Sequence, residues 1–136
     1  MKIKVSRKRN TFCQAFFRDC LFDSSVYRIA DQMISGYNGG MWKYYEVDNG
    51  SAFMALEASD GPFTVSNLIS GESVENVPAI ITGMIVTAFA MLVKIEASTN
   101  DMVHDFLIDQ FDKLKDTIVE RCSQENRMDI WMGLMD

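Results

Sequence analysis

Apolar and polar positions alternate or recur along the chain in a way that divides it into short, readable segments. Between Met41 and Val47, and again between Ser51 and Leu56, aromatic and aliphatic residues occupy strand-like runs. Asp48-Asn49-Gly50 separates them, and Asn-Gly between two such runs predicts a β-hairpin with a type I′ turn, which needs positive φ at both central residues. Asn38-Gly39-Gly40 just before the first run is a backbone break. Upstream, Val26, Ile29, Ala30, Met33 and Ile34 form one face of an amphipathic helix, with Asp23-Ser24-Ser25 placed to cap its start and Gly36 its end. Thr11 to Phe22 fits a shorter helix. Downstream, Asp60-Gly61-Pro62 reads as a turn and Phe63 to Ile69 as a third strand, which favours an antiparallel meander.

The second half reads as helical. Ser70 to Asn76 is a polar connection, and Val77 to Val93 then carries no charged residue. That run falls short of the ~20 residues of a membrane span and includes Thr82, Gly83 and Thr87, so it predicts a buried central helix continuing to Ala97. Pro78 suits its first turn. Thr99-Asn100 breaks that helix and caps the next. Val103, Phe106, Leu107, Phe111, Leu114, Ile118 and Cys122 form the apolar stripe of this next helix. Asp101, Asp105, Asp109, Asp112, Asp116 and Glu120 fall within one arc opposite that stripe. Met128 to Asp136 reads as a last short helix or a docked terminus. The whole is a single α+β domain: a small antiparallel sheet, as hairpin or meander, packed with several helices, one of them central and buried.

Charge changes this picture at one end. Residues 1 to 10 hold Lys2, Lys4, Arg7, Lys8 and Arg9 and no acid, whereas the remainder holds 8 basic and 19 acidic side chains. The chain thus divides into a basic arm, 1–10, and an acidic domain, 11–136. Ile3 and Val5 alternate with charges, so the arm is an edge strand, a solvated tail or an electrostatic handle. An acidic body argues against direct nucleic-acid binding, because phosphate contacts dominate that affinity. It leaves room for a basic protein surface. Cys13, Cys20 and Cys122 are an odd set without a Cys-x-x-Cys pair, which suits free, buried thiols in a reducing cytoplasm. No leader pattern opens the chain.

Candidate chemistry is sparse. His104 is the single histidine, no nucleophile–base pair is signalled, and the glycines lack the Gly-Lys-Ser/Thr ending of a phosphate loop. The expectation is a protein with no enzymatic activity and no cofactor or metal. Carboxylates one helical turn apart lie ~6 Å apart, near the phosphate spacing of one DNA strand, so a DNA-mimic face is one reading of the acidic arc. A solvated helix face is the favoured one. On the hairpin, Trp42, Tyr44 and Phe53 suit the core, while Lys43, Tyr45, Glu46 and Asn49 could form a recognition patch.

Tyr37-Asn38-Gly39-Gly40-Met41-Trp42-Lys43-Tyr44-Tyr45-Glu46-Val47, then Asn49-Gly50, then Phe53-Met54-Ala55-Leu56, resembles the signature of the KlcA/ArdB antirestriction family. The motif residues are Tyr37, Gly39, Gly40, Trp42, Tyr45, Glu46, Asn49, Gly50, Phe53 and Met54. Gly83-Met84-Ile85-Val86-Thr87 resembles the family's Gly-Ile-Val-Ala-Thr-type helix, and the tail ending in Asp136 its C-terminal pattern. Cys13 to Arg18 departs from it, lacking the Pro-Arg box that members usually carry there. The resemblance implies an anti-defence protein of bacterial plasmids, phages and other mobile elements, which protects incoming DNA by inhibiting type I restriction–modification enzymes. It implies a host restriction or other defence complex as the partner; no membrane contact and a monomer or weak homodimer are the accompanying expectations. An inhibitor of another nucleic-acid-targeting defence enzyme, such as a CRISPR effector, or a non-inhibitory interaction domain, are the alternatives. Asp101, Asp105, Asp109, Asp112, Asp116, Glu120 and Asp136 are the candidate partner-binding residues.

Overall fold

A computed structural model describes residues 1–8 and 10–136; Arg9 of the basic arm lies outside the described residues. The architecture is α+β. Strands β1 (Ile3–Val5), β2 (Trp42–Val47) and β3 (Ala52–Leu56) form one antiparallel sheet in that spatial order. Helices α1 (Phe12–Phe17) and α2 (Phe22–Met33) lie between β1 and β2 in sequence. Strands β4 (Phe63–Ser66) and β5 (Ser73–Val77) form a separate hairpin, followed by α3 (Ala79–Ala97), α4 (Asp101–Gln124) and α5 (Met128–Ile130), which runs on into a π-helical turn, Trp131–Met135.

The core is built around α3. Twelve of its residues between Ala79 and Met91 are buried, so the charge-free part of its sequence is that of a core helix, apolar all round because protein surrounds it, while Lys94 and Glu96 lie in its more exposed last turns. It packs against α2, α4 and, most closely, β3, whose five residues are all buried. The contact has a specific chemistry. In the β2–β3 register Met54 stands opposite Tyr44 at a position whose N–H and C=O point away from β2. The Thr87 hydroxyl meets both groups, accepting from Met54 N at 3.1 Å and donating to Met54 O at 3.3 Å. Gly83, one turn earlier, admits the strand: a Cβ there would fall 2.5 Å from Ala55 Cα. A helix thereby closes a sheet edge that burial would otherwise leave unsatisfied.

This closure explains the main departure from the sequence reading. The Phe63 strand does not extend the hairpin into a three-stranded meander, because α3 already occupies the outer edge of β3. It pairs instead with Ser73–Val77, a strand formed from the stretch expected as a polar connection and from Val77, the residue expected to open the central helix, which begins at Ala79. The third strand of the main sheet is β1, so of the readings open for the arm the edge strand is the one adopted by Ile3–Val5.

Smaller differences have local causes. The 48–50 loop is not a two-residue type I′ turn. Gly50 alone has positive φ (92°), its N–H donates to Val47 O, and Val47 N donates to Ser51 O, which is the three-residue hairpin loop. Helix α2 begins at Phe22, with Leu21 rather than the Asp23-Ser24-Ser25 cluster at its N-cap. Arg18 at φ 56° reverses the chain so that Phe17 and Phe22 stack at 4.0 Å, and that aromatic contact sets the start of the helix. The cap of α4 is as the sequence implied: Asn100 Oδ1 accepts from Met102 N and Val103 N. Cys13 and Cys122 are buried, but Cys20, at the α1–α2 turn, is exposed.

Two stability predictions follow from the α3–β3 contact. Gly83→Ala forces strand and helix apart, and urea unfolding should show a loss of about 1–3 kcal/mol or more, as for overpacked cores. Thr87→Val leaves the buried Met54 N–H and C=O unpaired and should lose about 1–3 kcal/mol, whereas Thr87→Ser should recover most of it.

Candidate interaction surface

The hairpin's side chains sort by strand alternation. Trp42 and Tyr44 turn toward α1 and α2: the Tyr44 ring stacks on Phe12 at 4.6 Å, and Trp42 tilts against Tyr27 at 5.7 Å. Burial among these rings pushes the Tyr27 phenol up to about 12. Trp42 Nε1 donates to Tyr37 Oη at 3.0 Å, which ties the two sides of the Asn38-Gly39-Gly40 segment together. Gly39 and Gly40 both have positive φ, at 95° and 136°, and a side chain on Gly40 would strike Leu56. On the opposite side Tyr45 lies flat over buried Phe53 (5.0 Å, 8° between planes), and exposed Lys43 pairs with Glu57 at 3.0 Å. Glu46 accepts a hydrogen bond from the Ser6 hydroxyl at 2.6 Å, and Met54 is the strand residue held by Thr87.

The hairpin tip is fastened to α4. Asn49 Nδ2 donates to Lys113 O at 2.9 Å and to Thr117 Oγ1 at 3.2 Å, and its Oδ1 accepts from Ser51 N and Ser51 Oγ. Gln110 Nε2 donates to Gly50 O and Phe16 O, joining α4 to both the hairpin and α1. Thus the Asn-Gly turn and the middle of the acidic helix, separate candidates in the sequence, meet in space. Gln110, Thr117 and Ser51 are buried polar residues that hold this junction. The only signal of Gln110 and Thr117 in the sequence is a polar side chain within an otherwise apolar stripe.

Along α4, Asp101, Asp105, Asp109, Asp112 and Asp116 are exposed and Glu120 is half-buried. Asp109 pairs with Lys113 at 3.0 Å, and Glu120 takes the Met1 amine at 2.7 Å. His104 Nδ1 lies 3.7 Å from Asp105. Among the described residues Asp101, Asp112 and Asp116 have no ion pair. Asp136 is exposed at the far end of the C-terminal segment, with its N–H on Trp131 O. It is not part of the α4 row. Among the described residues no group of three or more His, Cys, Asp or Glu side chains is placed to hold a metal ion.

The C-terminal segment instead locks the β4–β5 hairpin. The Arg127 guanidinium donates to Asn76 O and Glu75 O and pairs with both oxygens of Asp129, whose carboxyl is held below its ordinary value by that bond. Asn67 Nδ2 reaches Leu134 O at 2.9 Å.

These elements define a small α+β protein whose marked features are surfaces rather than a catalytic cleft. The family model described as "Antirestriction protein" matches residues 35–128, which run from the end of α2 through both hairpins, α3 and α4 to the start of α5. The chain belongs to the antirestriction protein family. It is also similar to the uncharacterized protein YafX of Escherichia coli (strain K12), with 30% identity over 56 residues, 40% of this chain and 37% of that protein. The aligned stretch therefore spans little more than a third of the relative's length. The segment lacking the Pro-Arg box lies before the matched residues.

Two measurements check this geometry. Asn49→Ala removes four hydrogen bonds at the hairpin–α4 junction and should lower stability by about 1–3 kcal/mol, read by denaturant unfolding. Burial raises the Cys13 and Cys122 thiols from 9.0 to about 11, so the folded chain stays protonated where the unfolded chain ionises. Their stabilising effect is complete below pH 9 and is lost as pH rises toward about 11. A thiol-reactive dye at neutral pH should label Cys20 alone, and all three cysteines only on unfolding.

Proposed function

We propose that this protein inhibits type I restriction–modification enzymes and so protects incoming phage or mobile-element DNA, by contact with a host defence complex and without catalysis or a cofactor. The observation that carries the reading is family membership across residues 35–128, a span that includes the whole hairpin and the acidic helix. The rest of the molecule is in keeping with it. The body is acidic, which suits a basic protein surface better than nucleic acid. The three cysteines are free, as suits a cytoplasmic protein, and α3 is committed to the protein's own core rather than to a bilayer. The chain acts as a monomer or weak homodimer.

The α4 carboxylates serve solubility first. Asp109 and Glu120 already have partners within the chain, which breaks the row a DNA mimic would present. The hairpin's exposed residues, with Asn38 to Met41 and Lys43 foremost, are the better candidates for contact.

The test is the plating efficiency of unmodified phage on bacteria carrying a type I system, with and without the protein, alongside modified phage and a restriction-free host. Recovery confined to the restricting host is expected. No recovery against any type I family, with the protein soluble and folded, would sink the reading. Replacing Asp105, Asp109, Asp112 and Asp116 together by Asn should leave recovery within about threefold, since on this reading the α4 face is a solvated surface rather than the contact. Loss of recovery with an unchanged melting temperature would instead favour the DNA-mimic mechanism.

A further inference from the structure

The two edges of the main sheet differ. Helix α3 closes β3, whereas nothing among the described residues closes β1. Asp48 N donates to Lys2 O at 3.0 Å and Ser6 N to Tyr44 O at 2.7 Å, with Lys4 opposite Glu46 between them. Positions 2, 4 and 6 therefore face β2, and the N–H and C=O of Ile3 and Val5 point outward. Beyond Val5 the arm leaves the sheet, with Lys8 N turned back onto Ser6 Oγ, so β2 overruns its neighbour: Trp42 and Lys43 have no partner in β1. The step between the two strands is a cleft of about 410 Å³ lined by Val5, Ser6, Met41, Trp42, Lys43 and Tyr44.

Two observations make this step more than a short edge. Val5 is 54% and Met41 68% exposed, so apolar surface and unpaired backbone coincide. The rim is basic: Lys2, Lys4, Arg7 and Lys8 are all exposed. Of the nearby acids, Glu46 is engaged by the Ser6 hydroxyl and Glu57 by Lys43, which leaves exposed Asp48, beside Lys2, against four basic side chains.

We infer that this edge receives an extended, acidic segment of a partner protein as an added β-strand. The outward groups of Ile3 and Val5 supply main-chain hydrogen bonds, alternate apolar side chains of the segment fill the step, and its carboxylates meet the lysines. A second copy of β1 is a poor occupant, since antiparallel pairing of two such strands sets lysines against lysines. The inference rests on the reading that the chain works by protein contact, but not on which defence enzyme it meets.

The experiment uses the isotope-labelled full chain and a capped peptide in which glutamate and valine alternate. Titration should give saturable amide shifts at Ile3 and Val5, and the same peptide with lysine for glutamate should give none. Val5→Pro removes an outward N–H while sparing the Ser6–Tyr44 bond, and should weaken binding at least ~tenfold, the worth of about 1.4 kcal/mol. Should that variant unfold, Lys2→Glu with Lys4→Glu leaves every ladder bond in place and should abolish binding of the glutamate peptide. The inference is overturned by equal binding of the lysine peptide, by shifts confined to α4, by unaltered affinity of the variants, by no binding at millimolar peptide, or by a dimer in light scattering that Val5→Pro dissolves. Plating separates the two ideas: peptide binding without plating recovery removes the antirestriction reading alone, and recovery without peptide binding removes the edge site alone.

Discussion

The closure of β3 by α3 is the contact on which the rest of the fold depends. A three-stranded sheet of this size has two edges, and one is buried at the centre of the protein. Burying a backbone donor or acceptor without a partner costs about 1–3 kcal/mol, as much as burying an apolar side chain contributes. Thr87 removes that cost at Met54, and Gly83 brings the helix near enough for it to do so. The remaining elements then follow. Helix α4 packs on α3 and takes the hairpin tip through Asn49, and the C-terminal segment fastens the second hairpin through Arg127 and Asn67.

Much of this could be read in the sequence wherever one physical signal dominates. The hairpin, α3 and α4 all announce themselves through period and charge, because each buries a continuous apolar set. The strand partners do not. Nothing in Phe63 to Ser66 says that it pairs with Ser73–Val77 rather than with Ala52–Leu56, and the choice is made by α3 lying along the β3 edge. The start of α2 was hidden for a related reason: an aromatic stack between Phe17 and Phe22 overrides a good capping cluster that begins at the next residue. Tertiary contacts of this sort leave no local periodicity. Gly83 and Thr87 were visible as residues, but not as the pair that seals an edge.

Charge is arranged across the molecule as unevenly as it is along the chain. The acids of α4 cover one face and the basic arm one sheet edge, and the Met1 amine on Glu120 joins the two regions. Exposed Lys2 and Lys4 also oppose the pairing of this short free edge with its own kind, a common device for leaving a sheet edge open.

The family motif takes on a different meaning once its residues are placed. Phe53 and Met54 are buried, Tyr37 and Trp42 bond to each other, and Gly40 and Gly50 take backbone conformations that side chains disfavour. Asn49 holds α4, and Glu46 holds the arm through Ser6. Nearly every motif residue is thus spent inside the fold, so the motif identifies a scaffold. A surface that meets another protein must be drawn from what that scaffold leaves outside: the Asn38–Met41 loop, Lys43, the α4 face and the β1 edge. Two members of the family can therefore share the motif and still differ in the partner they meet, because, Gly39 and Gly40 apart, the motif positions build the fold and are not the positions left outside.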